Sequence, residues 1–600
     1  MASAVIHPSG STVSTLCEGF QLTTKLRPDA VALRTVGGAQ TVTWREFAER
    51  VEKVASGLAA LGVGHGDTVA LMLTNRPEFN IVDTAALHLG AIPFSIYNTS
   101  SPEQISYLFT NAENKVVITE QQFLTRILTA SAAAEHVVCV DGNADGVRTL
   151  EDLEAAGSPD FDFEAGWRAV RPDDVATLIY TSGTTGPPKG VEITHANVIA
   201  EAAALQRYLV TGPDDRTVSY LPGAHIADRM AAHWTNQLFG IQLTCVADPR
   251  TVAAALPDGR PTIWIGVPRV WQKIKAGIEA KVAAEEKPAK RKIATWAIGV
   301  GTEAVRRELN GQGVPLTLKL RHRLAERLVL AKLRHALGLQ EMRWAVSGAA
   351  AIPPTTLEFF LGIGVPVYEV WGMSETTGAA TTNTPDAIRV GSVGKALRDV
   401  ELRLAEDGEL LCRGPIVMRG YRKDPEKTAE ALDADGWLHT GDIATIDDAG
   451  FVTIVDRKKE LIINEAGKNM SPSNIENTLK GASPLIGQAV AIGDARPYNT
   501  ALIVLDPDVA AAVGGDGSIA ELVDNPRIRA AVTQAVQEGN ERLSRVEQVK
   551  RFRILPDQWE PGGEEMTPTM KLKRRPIADK YAAEIDGLYA PSPGPNVLQA

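Results

Sequence analysis

A glycine-rich stretch from Thr181 to Gly190, which reads TSGTTGPPKG, carries the residues best suited to hold phosphate. Glycines let a backbone turn tightly and aim N–H groups at an anion, hydroxyl groups donate further hydrogen bonds, and Lys189 adds a positive charge. The P-loop spacing G-x-x-x-x-G-K-[ST] fails here because Pro188 stands where its second glycine should be. The stretch therefore predicts a phosphate cradle that is not a P-loop.

Seven further segments follow in the order found in one known family. They are LPGAHIADR (221–229), VPRVW (267–271), SGAAAIPP (347–354), YEVWGMSETTG (368–378), GWLHTGD (436–442), VDRKKELIINEAGKNMSPSNIE (455–476) and TPTMKLKR (567–574). Together with the phosphate cradle, they resemble the adenylate-forming superfamily of acyl-CoA synthetases, luciferases and adenylation domains, over about residues 20–585. LPGAHIADR, VPRVW and GKNMSPSNIEN look most like AMP-forming long-chain fatty acyl-CoA synthetases.

This resemblance implies a reaction in two steps: ATP activates a long-chain fatty acid as acyl-AMP, and coenzyme A then takes the acyl group. The first step brings two anions together, and at ~4 Å with an effective dielectric constant near 20 their repulsion is of the order of 4 kcal/mol. Cations must offset it. Mg²⁺, which enters with ATP, prefers oxygen ligands and retains waters. By the family pattern its protein ligands are Glu375 and a hydroxyl of the phosphate cradle, Thr184 or Thr185.

The same resemblance implies the contacts to the nucleotide. Trp371 occupies the aromatic position that stacks on adenine, and Gly348 and Ala349 are small enough for a close approach. Asp442 can accept both ribose hydroxyls, and Arg457 can reach the ribose or the phosphates. The predicted nucleotide site further includes Thr181, Ser182, Gly183, Thr184, Thr185, Gly186, Lys189, Glu369, Gly372 and Ser374.

Two other residues are implied to act on the reacting groups. His225 matches the residue beside the acyl carboxylate, where an imidazole can donate a hydrogen bond or shape the entrance. Lys571 matches the C-terminal lysine whose cation bridges the attacking carboxylate and the α-phosphate, and so acts on the charge of the transition state. Without the family pattern, Lys571 would be interpreted as a solvated lysine in a basic run.

The second step requires the thiol of coenzyme A to reach the carbonyl from which Lys571 has withdrawn. In the family the C-terminal domain rotates about a hinge, which here matches 456–461 and begins at Asp456. That rotation would bring Gly467 and Lys468 to the site. We therefore predict an AMP- and acyl-binding domain over residues 1–456 and a C-terminal domain over 457–600.

Alternating helical and apolar segments predict how these residues are positioned. The helical pattern of 43–63 precedes the apolar run 67–73, and the same order recurs in 78–91 with 92–98 and in 101–112 with 115–120. This rhythm predicts an α/β fold: a large N-terminal domain with β-sheets covered by helices, and a small mobile α+β C-terminal domain. The length of 600 residues exceeds the roughly 250–300 at which single cores stop growing.

Composition disfavours several classes of protein. A net charge of -11 is unsuited to a nucleic-acid binder, and no stretch approaches the ~20 apolar residues that span a bilayer. The N-terminus lacks the pattern of a secretory signal. The four cysteines are widely separated, which argues against a disulfide scaffold or a thiolate zinc site. We expect a cytoplasmic protein in a reducing compartment.

One segment departs from the acidic balance. Residues 281–340 hold 13 basic and 5 acidic side chains, and the leucine spacing of 318–339 suits an amphipathic helix. Such a face is usually just solvated. The sharper hypothesis is peripheral, reversible contact with an anionic membrane, on its inner face, through Arg321, Arg323, Arg327, Lys332 and Arg334.

Three alternatives remain open at this point. A fatty acyl-AMP ligase would pass the adenylate to a carrier protein, and an enzyme for aryl or branched acids would differ only in its pocket lining. A non-catalytic lipid-binding homologue would retain the fold, but the intact Lys571, Glu375 and phosphate cradle count against it. The preferred chain length and the oligomeric state are not predicted by the sequence.

Overall fold

The first large sheet is built from the predicted β-α-β units. In the computed structural model, which describes residues 5–130, 134–181, 187–465, 468–515, 517–567 and 570–600, the sheet has eight strands. Their order is Gly420–Tyr421, Lys189–Thr194, Val175–Thr181, Ile92–Ser95, Thr68–Met72, Val116–Thr119, His136–Cys139 and Arg148–Thr149. The last six run parallel to one another. At the edge, Lys189–Thr194 pairs antiparallel with both of its neighbours, Val175–Thr181 and Gly420–Tyr421. Thr181 pairs with Lys189 across this edge, so the phosphate cradle joins two paired strands.

Helices cover this sheet as predicted. The helix Trp44–Ala60 begins with a capping box between Thr43 and Glu46 and ends before Gly62, whose φ of +79° favours glycine. The other helices of this region are Leu16–Leu26, Pro77–His88, Pro102–Ala112, Gln121–Ala130, Leu150–Ala155, Phe163–Ala169 and His195–Gln206. The α/β class is therefore confirmed.

Two more sheets complete the N-terminal region. One has the order Arg216–Ser219, Gln242–Cys245, Val31–Thr35 and Thr41–Thr43, and the other has the order Ile263–Gly266, Trp344–Ser347, Val367–Trp371, Thr381–Thr382 and Lys395–Ala396. Gly348 follows a parallel strand of the second sheet directly, and Trp371 ends the strand beside it. The topology thus places these two segments next to each other.

Helices carry the chain between these sheets. Ile226–Asp228 continues through a π-helical turn, Arg229–Trp234, into Thr235–Phe239. The basic segment forms two successive helical stretches: Pro288–Leu309, then Leu316–Ala325 continuing through the π-helical turn Glu326–Leu330 into Ala331–Ala336. The remaining helices here are Val252–Gly259, Pro268–Ala283 and Pro354–Gly362. No helix of the described residues is long and apolar enough to cross a membrane.

The C-terminal part of the chain has a core of its own. A four-stranded sheet of Glu401–Leu404, Glu409–Arg413, Leu438–Ile446 and Val452–Arg457, with the helix Pro425–Ala431 beside it, leads into this part. Its main sheet has the order Ile486–Ile492, Asn499–Leu505, Val549–Leu555 and Leu598–Gln599. Its helices are Pro472–Ala482, Pro507–Gly514, Ile519–Leu522, Pro526–Asn540, Arg574–Lys580 and Ala582–Tyr589. Ile475, Val532 and Phe552 are buried in one cluster there. The predicted boundary at 456 lies at the end of the strand Val452–Arg457 and stays a prediction.

Candidate active site

A cavity of about 1360 Å³ lies between the N-terminal sheets and the C-terminal region. It brings together the predicted site residues Thr181, Lys189, His225, Gly348, Ala349, Glu369, Trp371, Gly372, Ser374, Glu375, Asp442, Asp456, Arg457 and Lys571. Ser182, Gly183, Thr184, Thr185, Gly186 and Gly467 lie outside the described residues. Lys468 does not line this cavity, and its backbone N–H donates instead to Asn464 Oδ1 at 2.9 Å.

Trp371, Asp442 and Arg457 form one connected unit. The indole N–H of Trp371 donates to Asp442 Oδ2 at 2.8 Å, and Arg457 Nε lies 2.8 Å from Asp442 Oδ1. Burial raises the pKa of Asp442, while Arg457 and the bond from Trp371 act against this shift. The unit orients a carboxylate whose oxygens retain lone pairs for further hydroxyl donors.

Glu375 is oriented by a residue that sequence motifs did not identify. Tyr421 donates its hydroxyl to Glu375 Oε1 at 2.8 Å, and Lys189 Nζ lies 4.0 Å from the centre of the Tyr421 ring. Tyr421 lies 46 positions from Glu375 along the chain, and none of the motifs identified in the sequence contains it. One carboxylate oxygen of Glu375 thus has no hydrogen-bond partner among the described residues.

This arrangement fits the predicted metal ligand. A carboxylate with one oriented and one open oxygen suits Mg²⁺, which takes one or two protein carboxylates together with phosphate oxygens and water. No group of three His, Cys, Asp or Glu side chains in the described ranges could hold a metal by itself. Any Mg²⁺ at Glu375 would therefore depend on oxygens from the nucleotide and the phosphate cradle.

His225 faces the cavity as a neutral hydrogen-bond donor. Its Nδ1 accepts the backbone N–H of Ala227 at 3.2 Å, so the ring proton belongs on Nε2. Removal from water, together with the positive charge of Lys571, lowers the pKa of His225 to about 3. The imidazole therefore offers an N–H without carrying a positive charge.

Lys571 lies in the cavity with its ammonium unpaired. The described residues form no ion pair or hydrogen bond with its Nζ, whereas its backbone is fixed by Thr567, which accepts the Lys571 N–H at 3.0 Å. Desolvation and the positive Arg457 lower the pKa of Lys571, and Asp442 and Glu375 oppose that shift. The ammonium is thus within electrostatic range of the carboxylates that we assign to ribose and metal.

The backbone around the nucleotide segments leaves no space for larger side chains. A Cβ on Gly372 would lie 1.6 Å from the carbonyl oxygen of Gly378, and a Cβ on Gly348 would lie 3.0 Å from Val370 Cγ1. Ala349 adopts a φ of +69°, which is uncommon for a residue with a side chain. These segments therefore require the small residues that the sequence has.

Glu369 is a buried acid beside this backbone. It is 7% exposed, and its Oε2 accepts the N–H of Gly391 at 3.2 Å. Burial raises the pKa of Glu369 to about 8, against the weaker effect of that hydrogen bond. Glu369 is therefore mostly protonated at neutral pH.

The predicted hinge is anchored at one end. Asp456 is buried, and its Oδ2 accepts the Ser471 hydroxyl at 2.7 Å and the Ser473 N–H at 2.9 Å. Arg574 connects Glu460 with Glu476 through ion pairs of 3.2 and 2.6 Å. Asp456 is therefore fixed to the start of the helix Pro472–Ala482, and a rotation would have to be absorbed by the residues after it.

Arg229, which follows His225 in LPGAHIADR, belongs to a buried network. It is fully buried and pairs with Asp83 at 2.6 Å, and His233 lies 2.9 Å from the other oxygen of Asp83. Arg229 also donates to the carbonyl oxygen of Gly223 at 3.0 Å. It therefore supports the turn that carries His225 and does not line the cavity.

Comparisons with known proteins agree with this fold. The family description AMP-binding enzyme matches residues 20–422, and AMP-binding enzyme C-terminal domain matches 459–592. The chain belongs to the AMP-binding enzyme family, which confirms the resemblance to adenylate-forming enzymes.

Individual relatives cover most of the chain. FadD11 of Mycobacterium tuberculosis is 56% identical over 461 residues, 76% of this chain and 81% of its own. The long-chain-fatty-acid–CoA ligase FadD15 of the same organism is 36% identical over 94% of this chain and 95% of its own. The crystal structure of the anthranilate CoA ligase AuaEII with anthranoyl-AMP shares the fold: its TM-score is 0.73 at 20% identity, covering 95% of this chain and 98% of that one.

Proposed function

We propose that this protein is an AMP-forming long-chain fatty acid–CoA ligase, which activates a fatty acid with ATP and transfers the acyl group to coenzyme A. The observation that carries the proposal is the Lys571 ammonium, which has no partner among the described residues and shares a cavity with Glu375 and Asp442. The names of relatives such as FadD15 support the substrate class and the acceptor.

The nucleotide occupies the polar part of the cavity in this proposal. Adenine stacks on the Trp371 ring, and the ribose hydroxyls donate to the Asp442 carboxylate, whose orientation is fixed by Trp371 and Arg457. The phosphates lie against the cradle around Thr181 and Lys189. Glu375 and a hydroxyl of the cradle, Thr184 or Thr185, would hold Mg²⁺, which would supply positive charge to the phosphates when bound.

The acid is activated by an in-line attack. Its carboxylate oxygen forms a bond to the α-phosphorus while the bond to the pyrophosphate oxygen breaks. The Lys571 ammonium lies between the two anions and stabilises the negative charge that accumulates on the phosphorus oxygens. The Nε2–H of His225 donates a hydrogen bond to the acid and orients it without adding charge.

The acyl chain extends past His225 into the apolar end of the cavity. Ala202, Leu205, Met230 and Phe239 line this end. Burial of methylene groups contributes about 0.8 kcal/mol each. A long alkyl chain therefore gains binding energy there that a small acid would not.

The second step follows a rotation of the C-terminal domain about 456–461. Asp456 stays fixed by its serine contacts while the next residues turn. Lys571 then leaves the cavity, and the segment with Gly467 and Lys468 approaches. The thiolate of coenzyme A attacks the acyl carbonyl, and AMP leaves.

Pyrophosphate exchange across a ladder of fatty acids, with and without coenzyme A, tests this function. We expect exchange that depends on a long-chain acid, and acyl-CoA formation when coenzyme A is present. Adenylate formation without any transfer to coenzyme A would favour the acyl-AMP ligase alternative. Absence of exchange with every acid would contradict the proposal.

We further propose reversible contact of the basic segment with an anionic membrane on its inner face. Four leucines, spaced four residues apart in the stretch Leu316–Ala336, are exposed. Their exposed fractions are 78% for Leu316, 63% for Leu320, 51% for Leu324 and 43% for Leu328. Exposed basic residues without ion pairs among the described residues accompany them: Lys319, Arg321, Arg323, Arg327 and Lys332. Arg334 does not belong to this set, because it pairs with Glu326 and donates to the Ile363 carbonyl oxygen at 2.7 Å.

Co-sedimentation with vesicles that contain anionic lipid tests the membrane contact. Each basic residue near such a surface contributes about 1 kcal/mol, and screening limits the attraction to about 10 Å at 0.1 M salt. We expect binding at low salt that Leu320→Ser with Leu324→Ser abolishes and that the exposed control Ile6→Ser retains. Unchanged sedimentation of the leucine variant would contradict the contact. So would a wild-type protein that binds no lipid but forms a dimer that the leucine variant does not form, because the leucines would then pack against a second copy of the chain.

A further inference from the structure

Glu201 is a buried carboxyl group in the wall of the cavity. It lies on the helix His195–Gln206, is 1% exposed, and lines the same cavity as His225 and Lys571. Its Oε1 accepts the backbone N–H of Ala379 at 2.5 Å. None of the steps proposed above uses this residue.

The second oxygen of Glu201 has no partner. Oε2 is buried without a hydrogen bond to any described residue. The backbone of Gly378 closes one side of the carboxyl group, since a Cβ there would lie 2.6 Å from Oε1 and 3.0 Å from Oε2. A buried polar atom without a partner destabilises the folded state, so a group that satisfies it would gain affinity.

The neighbours of Glu201 in the cavity wall are mainly those of an acyl site. Ala202 and Leu205 follow it on the same helix, and Met230 and Phe239 come from the opposite helical segment. Thr235 also lines the cavity, but its hydroxyl already donates to the Met230 carbonyl oxygen at 2.5 Å. Glu201 is thus a polar group of this wall with an open position.

We propose that the Glu201 carboxyl group recognises a hydroxyl group on the acyl chain, so that the preferred substrates are hydroxylated long-chain fatty acids. This inference rests on the proposed function, because it assigns the apolar end of the cavity to the acyl chain. A hydroxyl both donates and accepts, and so it satisfies Oε2 whether the carboxyl group is protonated or ionised. An unsubstituted chain would leave Oε2 unpaired.

Burial favours the protonated form, since it raises the pKa of Glu201 well above its ordinary value. A neutral carboxyl group can be buried beside an alkyl chain at a smaller cost than a carboxylate. The site therefore tolerates plain fatty acids and discriminates by one hydrogen bond. Such a bond corresponds to a preference between about three- and tenfold.

The test is the ratio of kcat/KM for hydroxylated over plain acids of equal length, with the hydroxyl scanned along the chain. We expect wild-type protein to show a ratio of about three to ten at one or two adjacent positions. Glu201→Met should reduce the ratio to one or less, and Glu201→Gln, which keeps a hydrogen-bonding group, should retain part of it. The ratio cancels any loss of activity that affects both substrates equally.

Thr235→Val is the matched control, because it removes a hydroxyl from the same wall whose hydrogen bond is already made. We expect it to leave the ratio unchanged. If the ratio in wild-type protein does not vary with the position of the hydroxyl group, the inference is overturned, and this result does not depend on whether Glu201→Met folds. An unchanged ratio in Glu201→Met would overturn it as well. If plain acids support pyrophosphate exchange, the proposed function stands whatever the ratio; if no acid supports it, the proposed function fails first.

Discussion

Trp371 donates its indole N–H to Asp442, and Arg457 pairs with the other oxygen of the same carboxylate, both at 2.8 Å. The residue assigned to adenine and the residue assigned to ribose therefore contact each other directly. Because the carboxylate is held from two sides, its orientation is fixed before a nucleotide arrives. Preorganisation of this kind reduces the conformational cost of binding.

Asp442→Asn should weaken nucleotide binding more than Trp371→Phe. The first change removes the charge that pairs with Arg457 and accepts the ribose hydroxyls, so we expect the KM for ATP to rise at least tenfold, about 1.4 kcal/mol. The second keeps an aromatic ring and removes only the N–H, so we expect a rise of about two- to fivefold. ATP titrations of pyrophosphate exchange measure both; a larger effect of Trp371→Phe would contradict the assigned roles.

Glu375→Gln should raise the Mg²⁺ concentration required for half-maximal exchange by about tenfold or more, because it removes the negative charge from the open oxygen. Tyr421→Phe provides the matched control. It leaves the charge of Glu375 and removes only the hydrogen bond at 2.8 Å, so we expect a shift of about two- to threefold. An unchanged Mg²⁺ titration in Glu375→Gln would contradict the metal assignment.

The β-α-β order and the helix over 44–60 could be predicted because they depend on local periodicity. Most of the described residues that the sequence motifs predicted for the site also line the cavity. The motifs could not predict which of the site's side chains contact one another. Tyr421 and Glu375 meet only because the strand Gly420–Tyr421 joins the edge of the first sheet, and no spacing rule describes that contact.

The basic helix illustrates the same limit. Leucine spacing predicted a helix over 318–339, and the structure has one over Leu316–Ala336. The π-helical turn Glu326–Leu330 adds a residue to one turn and shifts the faces after it. Sequence periodicity alone therefore could not show that Arg334 turns back to pair with Glu326.

The contribution of Glu369 to the stability of the folded protein should decrease as the pH rises. Its pKa of about 8, against an ordinary value of 4.5, means that the folded protein keeps a proton that the unfolded chain releases. The contribution of this proton to the free energy of unfolding is fully present below pH 4.5 and decreases progressively up to pH 8. The total decrease is at most ~5 kcal/mol. In Glu369→Gln this loss is absent, so the fall in Tm between pH 5 and pH 8 should be smaller than in wild-type protein. Equal slopes would contradict the burial argument.

Lys571→Ala should separate the two steps. The ammonium lines the cavity, pairs with no residue in the part of the chain that the structure describes, and is assigned only to the adenylation transition state. We expect acid-dependent pyrophosphate exchange to fall by at least 100-fold, while acyl-CoA formation from supplied acyl-AMP stays within about threefold of wild type. Equal loss of both activities would show that the lysine has a structural role.

Contacts join the helix Pro268–Ala283 to the C-terminal region in the arrangement that places Lys571 in the cavity. Arg269 pairs with Asp506 at 2.9 Å and donates to the carbonyl oxygen of Gly487 at 2.8 Å. Lys273 lies 3.6 Å from Asp508 and is more exposed. The Arg269 contacts therefore stabilise the arrangement in which Lys571 faces the cavity.

Arg269→Ala should thus lower pyrophosphate exchange about three- to tenfold, because fewer molecules hold Lys571 in the cavity. Acyl-CoA formation from supplied acyl-AMP should be unchanged or faster, since that step uses the other arrangement. Lys273→Ala, at a more exposed and longer ion pair, is the matched control and should leave both activities within twofold. The charge exchange Arg269→Asp with Asp506→Arg should restore part of the exchange activity. A parallel decrease of both steps in Arg269→Ala would mean that these contacts stabilise the fold and do not bias the domain arrangement.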